Sequence, residues 1–341
     1  MSDSQDSWLT FLQEQGLDLG APARAISAKG MVAPLHHLGL IAASGEQAAQ
    51  FLHSQLSNDV EHLGTGEARL AAYCTPKGRM LASMMLWRQN EGIFLQVARE
   101  ILPAIQKRLQ MFVLRTKAKL ADASGEQIAI GLAGNAAQIL AQRLNAGLPD
   151  RVWQKVELGA DALIRVPDAA GLARYQWITT PSTAREHWPA LSAASEIHPP
   201  ASWRLTEIQA GLPLITQATQ EQFVPQMINF EVLGGVNFKK GCYPGQEIVA
   251  RSQYLGKLKR RMLLAELAGS AVAGAEVFAE SDPQQPAGML VNVEASAPGK
   301  SLALVELKSA LLEEGAALHA GAADGPLLTP RSLPYPLPET A

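Results

Sequence analysis

The sequence predicts an α+β protein: two ferredoxin-like units followed by a small all-β domain, either a barrel or a sandwich. Three observations lead there. A strand, helix, strands, helix order occurs twice before residue 200. From about residue 256 the pattern changes to short apolar runs parted by Gly, Pro and Ser. The 341 residues also exceed what one hydrophobic core usually spans.

The acidic, amphipathic start MSDSQDSWLTFLQEQ predicts a short helix and lacks the basic region of a signal peptide. Residues 38–44 read as a strand entering SGEQAAQFLHSQL, where Ser44 and Gln47 have capping-box spacing and Ala48, Leu52 and Leu56 recur every four residues. LAAYCTP, RMLASMMLW and IFLQVA, parted by PKG and NEG turns, read as antiparallel strands. A helix over about 99–115 follows, with Leu102, Ile105, Leu109, Phe112 and Val113 on one face. The second block comprises strand IAIGLAG, helix NAAQILAQRL, strands DALIRVP and RYQWITT, and helix PSTAREHWPALSA with Pro181 in its first turn. RMLLAEL, AEVFA, AGMLVNV, SLALVEL, AALHA and PLLTP are the β runs of the last domain, and RSLPYPLPETA, with three prolines, reads as an extended tail.

The hydrophobic fraction of 47% contains no run long enough to span a bilayer, and two cysteines in the whole chain suit the cytoplasm. The net charge of −3 gives the whole surface no pull on nucleic acid or anionic lipid. Lys239, Lys240, Arg251, Lys257, Lys259, Arg260 and Arg261 nevertheless oppose a single acid, Glu247. That window either faces an anion, tRNA included, or is a solvated basic face. CxxC, HExxH, Walker and GxGxxG motifs are absent, so no metal site is predicted, nor ATP or a dinucleotide. His36 and His37, read as strand residues, point to opposite faces.

FKKGCYPGQEIVAR, residues 238–251, is the segment with chemistry in it. Gly241 and Gly245 permit positive φ or close backbone approach, and Pro244 stiffens the turn. Lys240, two residues from Cys242, favours a thiolate, the nucleophilic and metal-binding form. Gln246 offers an amide to a heterocycle edge, and Glu247 a carboxylate to Lys240 or Arg251. The alternative is that Cys242 is a small buried hydrophobe in a turn.

KGCYPGQE, with NFEVLGGVNFK before it and GKLKRR after it, resembles the KGCYxGQE signature of the YgfZ family of folate-binding proteins, relatives of the glycine-cleavage T-protein. FLHSQLSNDV, YCTPKGRML, SWRLTEIQAGLPLI, FVPQMINFEVLGG and LPYPLPE are similar to further family segments in the same order. The resemblance implies a ring: a first ferredoxin-like unit over 25–120 completed by 200–250, a second over 121–199, and a C-terminal β-barrel over 251–335, around a folate or tetrahydrofolate site. It implies an accessory role in iron-sulfur cluster assembly or repair that supports tRNA modification, with iron-sulfur enzymes or assembly proteins as partners.

Carried over residue by residue, the resemblance makes Cys242 the reactive thiol, with Lys240 beside it. Trp203, Gln209, Lys240, Gln246 and Arg251 become folate contacts. Leu38 stands where close relatives have a second folate-associated tryptophan, and Gln209 where T-protein has a pterin-binding glutamate. T-protein's catalytic aspartate lies in a hairpin whose counterpart here, GRMLASMM, holds no acid, which disfavours aminomethyl transfer. A non-enzymatic factor is therefore the expectation; the alternative is a tetrahydrofolate-dependent one-carbon transferase using Asp59.

Overall fold

The computed structural model describes residues 3–27, 29–254 and 258–338. Lys257 of the basic window and the last three residues of the tail lie outside them. In chain order the elements are α1 (Asp3–Glu14), β1 (Met31–Pro34), β2 (Leu38–Ser44), α2 (Ala48–Gln55), β3 (Ala68–Cys74), β4 (Met80–Gln89), β5 (Gly92–Ala98), α3 (Leu102–Val113), β6 (Lys119–Asp122), β7 (Ile128–Ala133), α4 (Asn135–Arg143), β8 (Lys155–Leu158), β9 (Asp161–Ala169), β10 (Leu172–Thr179), α5 (Pro181–Ala194), β11 (Glu196–Ile197), α6 (Pro200–Gln209), α7 (Gln246–Tyr254), β12 (Arg260–Leu267), β13 (Glu276–Ala279), β14 (Asp282–Ala297), β15 (Lys300–Lys308), α8 (Ser309–Glu313), β16 (Leu318–Ala320) and β17 (Leu327–Arg331).

The α+β class holds. One sheet has the order β3-β4-β5-β2-β6 and another β11-β1-β7-β10-β9-β8. Each comes from a block with three strands between its two helices. In the first sheet the last strand of the block, β6, lies next to the first, β2, which is the ferredoxin-like order with β3 added at the edge; in the second, β1 is inserted between the last strand, β11, and the first, β7. Met31–Pro34 has no alternating pattern because all four residues are buried, which is why the sequence gives no strand signal there. The six β runs of the C-terminal part close into the barrel β12-β15-β14-β13-β16-β17, resolving the choice between barrel and sandwich. Closure removes the sheet edges and lets Ala265, Val277, Leu290, Val305, Leu307 and Leu318 fill one small core.

By packing, the chain divides into two compact units. One comprises Met1–Leu52, Val60–Arg69 and Met84–Arg204; the other comprises His53–Asp59, Leu70–Ser83 and Leu205–Ala341. In the first, α1 buries Trp8 and Leu12 among Leu140, Trp177, Trp188 and Leu191. Trp8 meets Trp188 edge to face at 5.6 Å between ring centroids. Burying an aromatic of this size contributes roughly 1.5–3 kcal/mol, so the amphipathic start of the chain is anchored by packing. Thr180 caps α5 by accepting a hydrogen bond from the Thr183 N–H, with Pro181 at the first helical position as the sequence predicts.

Four local expectations are corrected. Ser44 and Gln47 do not form the capping pair: the Gln47 side-chain oxygen accepts from the Lys117 N–H at 2.8 Å, tying α2 to the segment before β6. Phe112 is not on the core face, because Val113 fills the place after Leu109 in the buried stripe and leaves Phe112 46% exposed. His36 and His37 sit in the turn between β1 and β2, so strand alternation does not orient them. Residues after Gly245 wind into α7, where the sequence shows only a turn and a basic run.

Candidate functional site

Among the described residues the signature loop is fixed at both ends. Gly245 has φ +83°, and a Cβ there would lie 2.4 Å from the Thr75 carbonyl oxygen and 2.7 Å from Gly78 Cα. The loop therefore touches the β3–β4 turn backbone to backbone, which only glycine permits at that position. Immediately after it α7 begins, and the Gln226 side chain donates to the Val249 carbonyl at 2.7 Å. The segment KGCYPG is thus a short arch between a hairpin turn and a helix.

Lys240 holds the other end. Its Nζ donates to the Leu56 carbonyl at 2.8 Å and to the His53 carbonyl, and lies 4.9 Å from the centre of the Tyr243 ring. The ammonium thus meets the carbonyls at the C-terminus of α2, where a cation is favoured by the helix dipole. Burial raises the Tyr243 hydroxyl above its ordinary pKa, with the Cys74 thiol nearby adding to the shift. Cys74 itself is 1% exposed, and burial pushes its thiol up to about 12. It is therefore a protonated core residue, not a second reactive thiol. Cys242 is exposed, so the reading of it as a small buried hydrophobe falls.

The Ser-Asn-Asp triplet at 57–59 ties down the segment that leads into the arch. Ser57 Oγ donates to the Gly235 carbonyl at 2.6 Å and accepts from the Ala72 N–H at 2.7 Å. Asn58 Nδ2 donates to the carbonyls of Leu70 and Gly234, at 2.6 and 2.8 Å. Asp59 Oδ1 pairs with His53 Nδ1 at 3.1 Å, and His53 Nε2 lies 3.7 Å from where a Cβ on Gly241 would be. An oriented imidazole therefore stands against the residue that precedes Cys242. Nothing local in the sequence singles out His53; the six-residue spacing to Asp59 acquires meaning only once α2 is known to end between them.

The remaining expected ligand contacts are placed differently from one another. Trp203 is fully buried: the Arg174 guanidinium lies 4.7 Å from its ring centre, and a Cβ on Gly131 would meet the ring at 2.3 Å. Its indole is a packing element and presents no open face for stacking. Gln209 and Gln246 are half-buried, and Arg251 is exposed on α7. Leu38 is buried at the start of β2 opposite Ala98 of β5.

The basic window is partly consumed internally. Lys240 caps α2; Arg260 binds the buried Glu306 carboxylate through contacts of 2.9 and 2.8 Å; Arg261 pairs with the buried Glu231. Burial raises the pKa of both glutamates, against the pull of these arginines. Lys239, Arg251 and Lys259 remain exposed. Among the described residues no three His, Cys, Asp or Glu side chains stand together as a metal site.

No protein-family profile matches the chain. Curated relatives do match: the chain is 33% identical over 228 residues to the tRNA-modifying protein YgfZ of Shigella boydii, covering 67% of this chain and 68% of that one. It is 32% identical over 228 residues to the protein of the same name from Escherichia coli K12, with the same coverage. Among solved structures, the glycine cleavage system aminomethyltransferase T from Bartonella henselae superposes with a TM-score of 0.75 at 16% identity, over 97% of both chains. That likeness establishes the T-protein fold.

Proposed function

That the chain belongs to the YgfZ family is the premise from which we propose that it supports tRNA modification as a folate-binding accessory factor for iron-sulfur enzymes, with Cys242 as its working thiol. The observation that carries this reading is the exposed Cys242 on an arch held by Gly245 and Lys240, while Cys74 is buried. A thiol displayed on a braced backbone is placed for exchange with a partner, not for packing. One cysteine supplies one ligand to iron, so any cluster it touches takes its other ligands from the client or an assembly protein.

Folate enters through the family and the T-protein fold. The half-buried carboxamides of Gln209 and Gln246 fit the paired donors and acceptors of a pterin edge; the enclosed Trp203 does not fit a stacking role. When bound, folate would supply one-carbon or redox chemistry, while this chain's residues bind and orient. No acid stands on β4, from Met80 to Gln89, to serve as T-protein's aspartate does.

In a strain deleted for the native factor, Cys242→Ala should fold and bind tetrahydrofolate yet fail to restore tRNA modification by an iron-sulfur enzyme. Full restoration would remove the thiol from the proposal. Measurable turnover of labelled methylene-tetrahydrofolate by the wild-type protein would instead favour a one-carbon transferase.

A further inference from the structure

Helix α3 ends in an exposed apolar patch that its core packing does not use. Leu102, Ile105, Leu109 and Val113 are buried, whereas Met111, Phe112 and Leu114 are 58%, 46% and 86% exposed. Leu114 has φ +44° and ψ −109°, a conformation that is costly for a side chain with a Cβ. Strain of this kind persists where surrounding structure imposes it, and here it displays a leucine to water.

The chain segment that carries the patch holds charge of one sign. From Pro103 to Ala121 there are five basic residues, Lys107, Arg108, Arg115, Lys117 and Lys119, and no acid. Of these, among the described residues, only Lys117 meets a carboxylate, in an exposed pair with Glu46. Shallow grooves border the patch, one lined by Gln47, Phe112, Leu114, Arg115 and Thr116.

We infer that this end of α3 docks an acidic, amphipathic segment of a partner protein: its apolar side chains cover Met111, Phe112 and Leu114, and its carboxylates meet Arg115, Lys117 and Lys107. An aliphatic and a thioether side chain give nucleic-acid bases nothing to stack on, and one phenylalanine makes a poor platform for a strand of RNA. Methionine and leucine rimmed by cations are what a protein segment of complementary charge covers. The inference does not depend on the function proposed for the Cys242 arch.

The test places the photo-crosslinker p-benzoylphenylalanine at position 114 of the full chain in cells, with a second chain carrying it at the exposed Val272 as control. The expected result is a light-dependent protein adduct from position 114 only, mapping to a peptide with more Asp and Glu than Lys and Arg. Arg115→Glu with Lys117→Glu should lower its yield roughly tenfold, and Lys107→Glu with Lys119→Glu should lower it in the same direction, all variants keeping the circular dichroism of the wild type. No adduct, an adduct to RNA or lipid, an adduct to a neutral or basic peptide, or a yield indifferent to both charge reversals would overturn the inference.

Discussion

Replacing Lys240 by methionine separates two explanations of the lysine beside the thiol. The structure gives its ammonium two carbonyl acceptors at the end of α2, His53 and Leu56, and a stem that lies buried. Methionine keeps much of the apolar stem and removes both charge-assisted hydrogen bonds. At the low end of their usual worth, about 1.5 kcal/mol each, the local structure loses about 3 kcal/mol. Because about 1.4 kcal/mol corresponds to a tenfold change in an equilibrium constant, amide hydrogen exchange in peptides covering 53–60 and 238–246 should quicken on the order of 100-fold. Strand β12, Arg260–Leu267, should be unchanged and serves as the internal reference. If exchange changes less than about threefold while complementation is lost, the lysine acts on a ligand or on the thiol, and the argument for it as a brace fails.

Other perturbations follow from the same geometry. Gly131→Ala puts a methyl against the enclosed Trp203 ring and should cost about 2 kcal/mol, read from urea unfolding followed by tryptophan fluorescence. Leu114→Gly relieves positive φ at an exposed position and should raise stability by about 1 kcal/mol; a loss would refute the strain assigned there. His36 has its pKa lowered to about 4, by burial first and then by the charges of His37 and Arg204. The folded state therefore resists a proton that the unfolded chain accepts from pH 6.5 downward, so stability falls between pH 6.5 and about 4. His36→Gln should flatten that part of the profile, and an unchanged slope would count against the assignment.

The sequence carried much of the fold and less of the site, for identifiable reasons. The barrel runs are legible because each alternates or closes on a turn, and each of the six became a strand. Met31–Pro34 was invisible because a fully buried strand has no alternation. The arch around Cys242 announced itself through Gly241, Pro244 and Gly245, residues whose backbone demands are local. What the arch touches is not local: the partner of Lys240 is a helix end 184 residues away in sequence, and the turn against Gly245 comes from β3 and β4. The exposure of an aromatic is equally non-local. Trp203 and Phe112 both sit on helices of mixed pattern, and packing alone decided that the first is enclosed and the second displayed.

The unequal burial of the two sulfurs has a practical side. With Cys74 sealed in the core and Cys242 at the surface, a maleimide dye should attach once to the native chain without any engineered residue. The fluorophore would ride on an arch clamped between a hairpin turn and a helix, so its emission and anisotropy would report events at that arch and not the tumbling of a loose tether. The natural protein is in this sense already its own sensor, one in which any binding event at the arch can be timed in solution by a change in a single colour.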